Sequence, residues 1–319
     1  MKILRVIVKK LIHSLIDKPI HAPTKQELTL VEQLRSKFRN FAPIETLETQ
    51  PSSEKTWNNN LTQLRVDIFK KDPRKFLRWK VVGRTMYVRS PSYLSKELGY
   101  LKHRNNWQSR WKNVLAESKA GHPLPYWRFR RSSGNLIHQA HHIANFEEYT
   151  KIDISKVDNI IEFGGGYGCA ARLIHQLGFQ GKYLILDLPD FSALQEFYLK
   201  SAEQPIITDN SFEKSKTGIL CISDMALFKD ILRDQIDFTS SIFIATWSLS
   251  ETPISLRNEV WREVSEGSAF LISSQSHYQE VDNIEYFQNL SESNNQIKWT
   301  RKPILHLGKN FYLFGTRKL

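Results

Sequence analysis

The pattern of apolar and polar positions changes its period partway along the chain. Over residues 24–40, 58–80, 94–119 and 135–150, apolar side chains recur every three or four residues, the spacing of amphipathic helices. Thr24 followed by Glu27 is a capping-box signature, and residues 42–56, with Pro43 and Pro51, read as an exposed linker. From residue 158 onward, short apolar runs bounded by Gly, Pro and acids take over: 160–163, 183–186, 218–224, 241–246 and 269–273. Such runs suit buried parallel strands, and helical stretches lie between them. Residues 297–305 and 311–315 read as a terminal hairpin. The expectation is an α/β, Rossmann-like sheet of seven strands over residues 121–319, preceded by a mainly helical region over 1–120.

The densest signal is the stretch 158–187. A strand ends in Glu162-Phe163, Gly164, Gly165, Gly166 and Gly168 make a turn, a helix follows, and a second strand ends on Asp187. Glycines permit a sharp turn and close backbone approach to a ligand, and an acid after the second strand suits a ribose. The segment from Gly166 to Ala171 can be forced into the dinucleotide pattern. Glu162, however, would repel a pyrophosphate. It suits the cationic amino acid end of S-adenosylmethionine, so E-x-G-x-G-x-G followed by Asp187 favours the sulfonium cofactor. Gly164, Gly166, Gly168, Leu188, Ser223, Asp224 and Thr246 complete the expected cofactor contacts, since ligands gather at the carboxyl ends of parallel strands.

Charge divides the chain. Residues 1–150 carry a net +16 and residues 151–319 a net −4, which points to an acidic partner or an anionic surface for the first part. Residues 1–17 alternate apolar side chains with Lys2, Arg5, Lys9 and Lys10. They lack the uninterrupted core of a signal peptide, and fit either an amphipathic helix on an anionic inner leaflet or one docked on the protein's own core. Two cysteines exclude a disulfide framework and a Cys-rich zinc site. His138, His141 and His142 have helical spacing, but no H-E-x-x-H accompanies them, and no metal is expected. Trp79, Trp107 and Trp111 lie among Arg and Lys; core filling competes there with nucleic-acid stacking.

The runs IIEFGGGYGCAARLI (160–174), YLILDLPDFSALQEFYL (183–199) and TWSLSETP (246–253) resemble the sugar O-methyltransferases of bacterial polysaccharide gene clusters. The resemblance covers about residues 121–290 and implies a class I methyltransferase domain using S-adenosylmethionine. Its acceptor would be a sugar hydroxyl of a surface polysaccharide or its lipid-linked precursor. It further implies a cytoplasmic enzyme, held peripherally at the inner face of the membrane. Thr246-Trp247 departs from the Asn-Ser pair of that family. His277 beyond the fifth strand and Glu251 beyond the fourth are the candidate catalytic bases, with His141 or His142 in reserve. The alternative is an RNA methyltransferase that uses the basic N-terminal region. Nucleic acid is not the expected partner, because residues 246–249 lack the base-gripping turn of amino-group methyltransferases.

Overall fold

A computed structural model describes residues 20–44, 52–89 and 91–318. The N-terminal amphipathic stretch 1–17 and residues 45–51 of the linker lie outside the described residues, while residues 52–56, read from the sequence as linker, are helical. Seven strands form one sheet: β1 (Asn159–Phe163), β2 (Lys182–Leu186), β3 (Gly218–Ile222), β4 (Ser241–Thr246), β5 (Ala269–Gln275), β6 (Ile297–Pro303) and β7 (Asn310–Arg317). Their order is β6-β7-β5-β4-β1-β2-β3, and β7 runs antiparallel to both of its neighbours. The other neighbouring pairs are parallel. This is the Rossmann-like class I methyltransferase sheet expected from the sequence. The chain reverses its direction of winding between β1 and β4, so the crevice beyond their carboxyl ends is the natural ligand position.

Period-two alternation assigns each strand residue to one of two apolar layers. Ile160, Tyr183, Ile185, Ile242 and Ile244 face one layer. Ile161, Leu184, Leu186, Phe243 and Ala245 face the other. The first layer is covered by α4 (Gly134–Thr150), α5 (Cys169–Gln176) and α6 (Pro189–Ser201). The second is covered by α7 (Met225–Gln235), α8 (Ile254–Val264) and α9 (Asn283–Ser293).

Helices α1 (Lys25–Arg39), α2 (Ser52–Lys70) and α3 (Leu94–Lys102) extend the first layer. Leu34, Leu64 and Leu98 belong to the same apolar cluster as Ile160 and Leu194, so the N-terminal helices and the sheet share a continuous core. The capping box is present, with Thr24 and Glu27 each accepting the other's backbone N–H. Two long helices of the sequence reading are shorter. The one expected over 58–80 starts at Ser52 and stops at Lys70, because Asp72 caps a new 3-10 turn that Pro73 opens. The one expected over 94–119 ends at Lys102 and is followed by a single π-turn, Trp107–Trp111. Trp79, Trp107 and Trp111 are buried, which removes them as stacking platforms for bases. No helix among the described residues is long and apolar enough to cross a membrane.

A buried ion pair links α2 to the sheet layer. Arg65 of α2 donates from Nε to Asp190 Oδ1 at 2.6 Å and from Nη2 to Oδ2 at 2.8 Å. Asp190, on α6, is 1% exposed. Removing the guanidinium strands a buried carboxylate, so Arg65→Ala should cost about 3–5 kcal/mol in urea unfolding at neutral pH. Loss of the exposed Arg39–Glu32 pair should change stability by less than about 1 kcal/mol. Equal effects of the two substitutions would show that the α2–α6 contact does not hold the N-terminal helices to the sheet.

Candidate functional site

The loop leaving β1 turns sharply because Gly164, Gly166 and Gly168 adopt φ of +74°, +59° and +90°, a region that side chains disfavour. Space is equally short. A Cβ on Gly164 would lie 2.2 Å from Ser248 Cβ, and one on Gly168 would lie 3.1 Å from Leu199. Gly164 N–H donates to Leu186 O at 2.9 Å, and Ser248 Oγ donates to Phe163 O. These bonds hold the turn against the ends of β2 and β4. Gly168 caps α5, whose N-terminus then points toward the loop. Cys169 is buried and its thiol is pushed up to about 12 by that burial, consistent with a packing role.

Two carboxylates flank the turn. Glu162 is 2% exposed, and its Oε2 accepts from Tyr183 Oη at 2.9 Å. Burial pushes its carboxyl up to about 7; the Tyr183 hydrogen bond opposes the rise and the charge of Asp187 adds to it. Asp187 follows β2. Its Oδ1 accepts from Leu188 N at 2.8 Å and its Oδ2 from Gln195 Nε2 at 2.7 Å. Burial raises this carboxyl to about 7 as well, against the hydrogen bonds from Leu188 and Gln195. Part of its surface still opens to the cavity, so solvent there tempers the rise. The backbone N–H groups of Gly165 and Gly166 in the Gly turn also favour its ionised form. Two acids so close to ionising at neutral pH are suited to a ligand that brings positive charge and hydroxyl donors.

Both face a cavity of about 1120 Å³, large enough for a nucleoside cofactor and part of an acceptor. Gly164, Gly166, Leu188, Ser223 and Thr246, expected as cofactor contacts, line it; Gly168 acts from behind, as the helix cap. Asp224 does not line it. Its Oδ1 accepts from Ala226 N and Leu227 N at 2.7 and 3.0 Å, which makes it the N-cap of α7 and ends β3 at Ile222.

Glu251 lines the cavity, and burial raises its carboxyl to about 7 against a weak hydrogen bond from Gln275. Its loop is pinned from below by Arg257, which is fully buried and donates to Ser250 O, Thr252 O and Asn283 Oδ1 at 2.6, 2.7 and 2.6 Å. Trp247 holds φ of +64°, a strained value for a large side chain. Its N–H donates to Ser273 O and its indole to Asn310 Oδ1, both at 2.8 Å. The structure does not bring His277 to the cavity. That imidazole is exposed on a short hairpin and lies 3.3 Å from Asp282. His141 and His142 are not brought there either; both are buried behind the wall against the Tyr312 hydroxyl.

His138 does line the cavity. Its Nδ1 lies 2.8 Å from Glu97 Oε1, and its ring stacks on Trp247 at 5.5 Å. The sequence reading singled out neither Glu97 nor the cavity wall formed by Met86, Tyr87 and Asn135. Asn135 accepts from Val88 N at 2.9 Å and donates to Tyr167 Oη at 3.0 Å, tying that wall to the Gly turn. Nothing in the local pattern around residue 87 marks such a role, because it arises from a long-range fold.

No protein-family model matches this chain, and no curated protein matches it in sequence. Solved structures show distant likenesses. The glycopeptide N-methyltransferase MtfA with bound S-adenosyl-L-methionine is 14% identical, over 56% of this chain and 87% of its own, with a TM-score of 0.36. The ribosomal protein L11 methylase of Lactobacillus delbrueckii subsp. bulgaricus is 14% identical, over 57% and 80%, at 0.34. The fibrillarin pre-rRNA processing protein of Methanococcus jannaschii is 10% identical, over 52% and 69%, at 0.37. These scores are all below 0.5, so the fold assignment rests on the strand order itself. The sugar O-methyltransferase resemblance has no family match behind it.

The raised carboxyl of Glu162 has a consequence for stability. Its proton is held more tightly folded than unfolded, so stability falls as pH rises from about 4.5 to about 7 and levels off above that. Urea unfolding of the ligand-free protein across this range should show the decline, and Glu162→Gln should make it shallower. An unchanged slope in the variant would mean that Glu162 ionises normally.

Proposed function

We propose that the protein is an S-adenosylmethionine-dependent O-methyltransferase. The observation that carries this reading is the pairing of Glu162 and Asp187 across the Gly turn, both lining one cavity. On this reading Glu162 faces the cationic amino acid end of the cofactor, directly or through water. Asp187 accepts from the ribose hydroxyls, while Leu188 and Ser223 border the adenine. The cofactor supplies an activated methyl group, which passes from sulfonium to an acceptor oxygen while the acceptor's proton passes to a base. Glu251 is the first candidate, since a carboxyl raised to about 7 is matched to proton transfer near neutral pH. His138, with Glu97 on its Nδ1, is the second.

For the acceptor we take a sugar hydroxyl of a surface polysaccharide or its lipid-linked precursor, following the three sequence runs that resemble the polysaccharide-cluster enzymes. Exposed Arg84, which lines the cavity, suits an acidic glycan or a pyrophosphate-linked carrier. Residues 1–17 would add attraction to an anionic inner leaflet, about 1 kcal/mol for each cation near the surface. The RNA reading keeps the basic N-terminal region but loses its three buried tryptophans.

Calorimetry with S-adenosylmethionine tests the cofactor assignment. Asp187→Ala should weaken binding by about 2–4 kcal/mol through loss of two charge-assisted hydrogen bonds. Affinity for the wild type should rise with pH through about 7, as Asp187 and Glu162 ionise. Unchanged affinity in Asp187→Ala would remove the assignment. Tight, steeply salt-dependent retention of RNA on filters would move the acceptor to nucleic acid.

A further inference from the structure

Behind the cavity wall lies a polar cluster of which the methyl-transfer reading uses only His138 and its Glu97 partner. Glu97 of α3 is 0% exposed. Its Oε1 is approached by His138 Nδ1 at 2.8 Å and by His306 Nε2 at 2.7 Å, whereas its Oε2 is buried and has no hydrogen-bond partner. His141 of α4 stands beside them, its ring centroid 5.1 Å from that of His306. One ligand atom each from Glu97, His141 and His306 lies within 4.8 Å of the others.

We propose that Glu97, His141 and His306 bind one divalent transition-metal cation of the zinc class. Two imidazoles and one carboxylate are the donor types zinc takes, and with three protein ligands a fourth position stays open. The geometry is close to what binding needs. Three atoms no more than 4.8 Å apart share a point about 2.8 Å or less from each, so zinc bonds of about 2.1 Å require side-chain shifts below about 1 Å.

A network of protons alone satisfies the cluster poorly. Both imidazole donors converge on Oε1, and a further proton on either ring leaves Oε2 as it is. An unsatisfied buried carboxylate oxygen is costly, and a cation at Oε2 removes that cost. Outer partners are present too: His138 on the carboxylate, and Tyr312 Oη 3.1 Å from His141 Nδ1, so the metal would take His141 Nε2 in place of its present 3.2 Å contact with Asn145 Nδ2. His306, at the edge of the cluster and 11% exposed, marks the entry side.

The three ligands come from α3, α4 and the turn between β6 and β7. A bound ion would therefore tie together the wall that carries Tyr93, His138 and Leu307. The role is structural support for the cavity, and it stands whether or not the methyltransferase reading holds.

The test is metal binding by the full-length, tag-free protein after treatment with chelator and dialysis. Titration with zinc chloride, followed by calorimetry and elemental mass spectrometry, should show one ion per chain. His306→Ala and His141→Ala should each weaken binding by more than the roughly 100-fold that loss of an outer partner costs. Because Glu97 is central to the core, His306→Ala at the edge is the variant that keeps the test separate from folding, with its fold checked by circular dichroism. His277→Ala removes an exposed histidine elsewhere and should leave binding unchanged. A folded wild type that takes up no zinc, or a folded His306→Ala with wild-type affinity, would overturn the proposal.

Discussion

The site depends on keeping two carboxylates, Glu162 and Asp187, at the ends of adjacent strands with too little water to ionise both freely. β1 and β2 are parallel neighbours in register, with Glu162 opposite Ile185 and Phe163 opposite Leu186. The sheet therefore delivers both acids to the same edge of the same cavity. The Gly turn keeps backbone between them, because any Cβ at Gly164 would collide with Ser248. Burial then pushes both carboxyls up, and a cationic, hydroxyl-bearing ligand offsets that cost.

The rest of the chain closes that cavity. The basic N-terminal region is part of the wall as well as a charged surface, since Tyr87 packs 6.0 Å from Tyr167 of the Gly turn and Arg65 clamps Asp190 just beyond Asp187. On the opposite side, buried Arg257 collects two carbonyls and an amide oxygen, and so fixes the loop bearing Glu251. Trp247 holds its strained backbone because Ser273 and Asn310 grip it from β5 and β7, and its ring stacks on His138. The Arg65, Tyr87 and Trp247 contacts join elements far apart in the sequence, whereas Arg257 reaches back only to the loop just before its own helix and to Asn283.

Local pattern sufficed for what local physics controls. The strand runs, the Gly turn, the capping box at Thr24 and the acid after β2 each follow from backbone preference or period, and the seven-strand sheet was legible from them. The same reasoning stretched helices through Asp72-Pro73 and past Lys102, where capping and a π-turn intervene. It also misjudged side chains whose partners are remote. Asp224 sits at a strand end like a ligand contact, but the nearest unpaired donors are the first N–H groups of α7. His277 follows β5 as a base should, yet a short hairpin turns it outward toward Asp282.

The histidines show the division most sharply. Helical spacing put His138, His141 and His142 on neighbouring faces of one helix, which is all that spacing can say. Folding assigned them different surroundings: His138 on the cavity, His141 beside Glu97 and His306, and His142 fully buried on Tyr312. Glu97 and His306 are 209 residues apart and carry no mutual signal in the sequence. Sequence alone determined the type and order of the elements, because those depend on neighbours along the chain. Which polar groups meet, which stay wet and which lose their water was decided only when the sheet and the N-terminal helices closed on one another, because burial and opposing charge are properties of the packed chain.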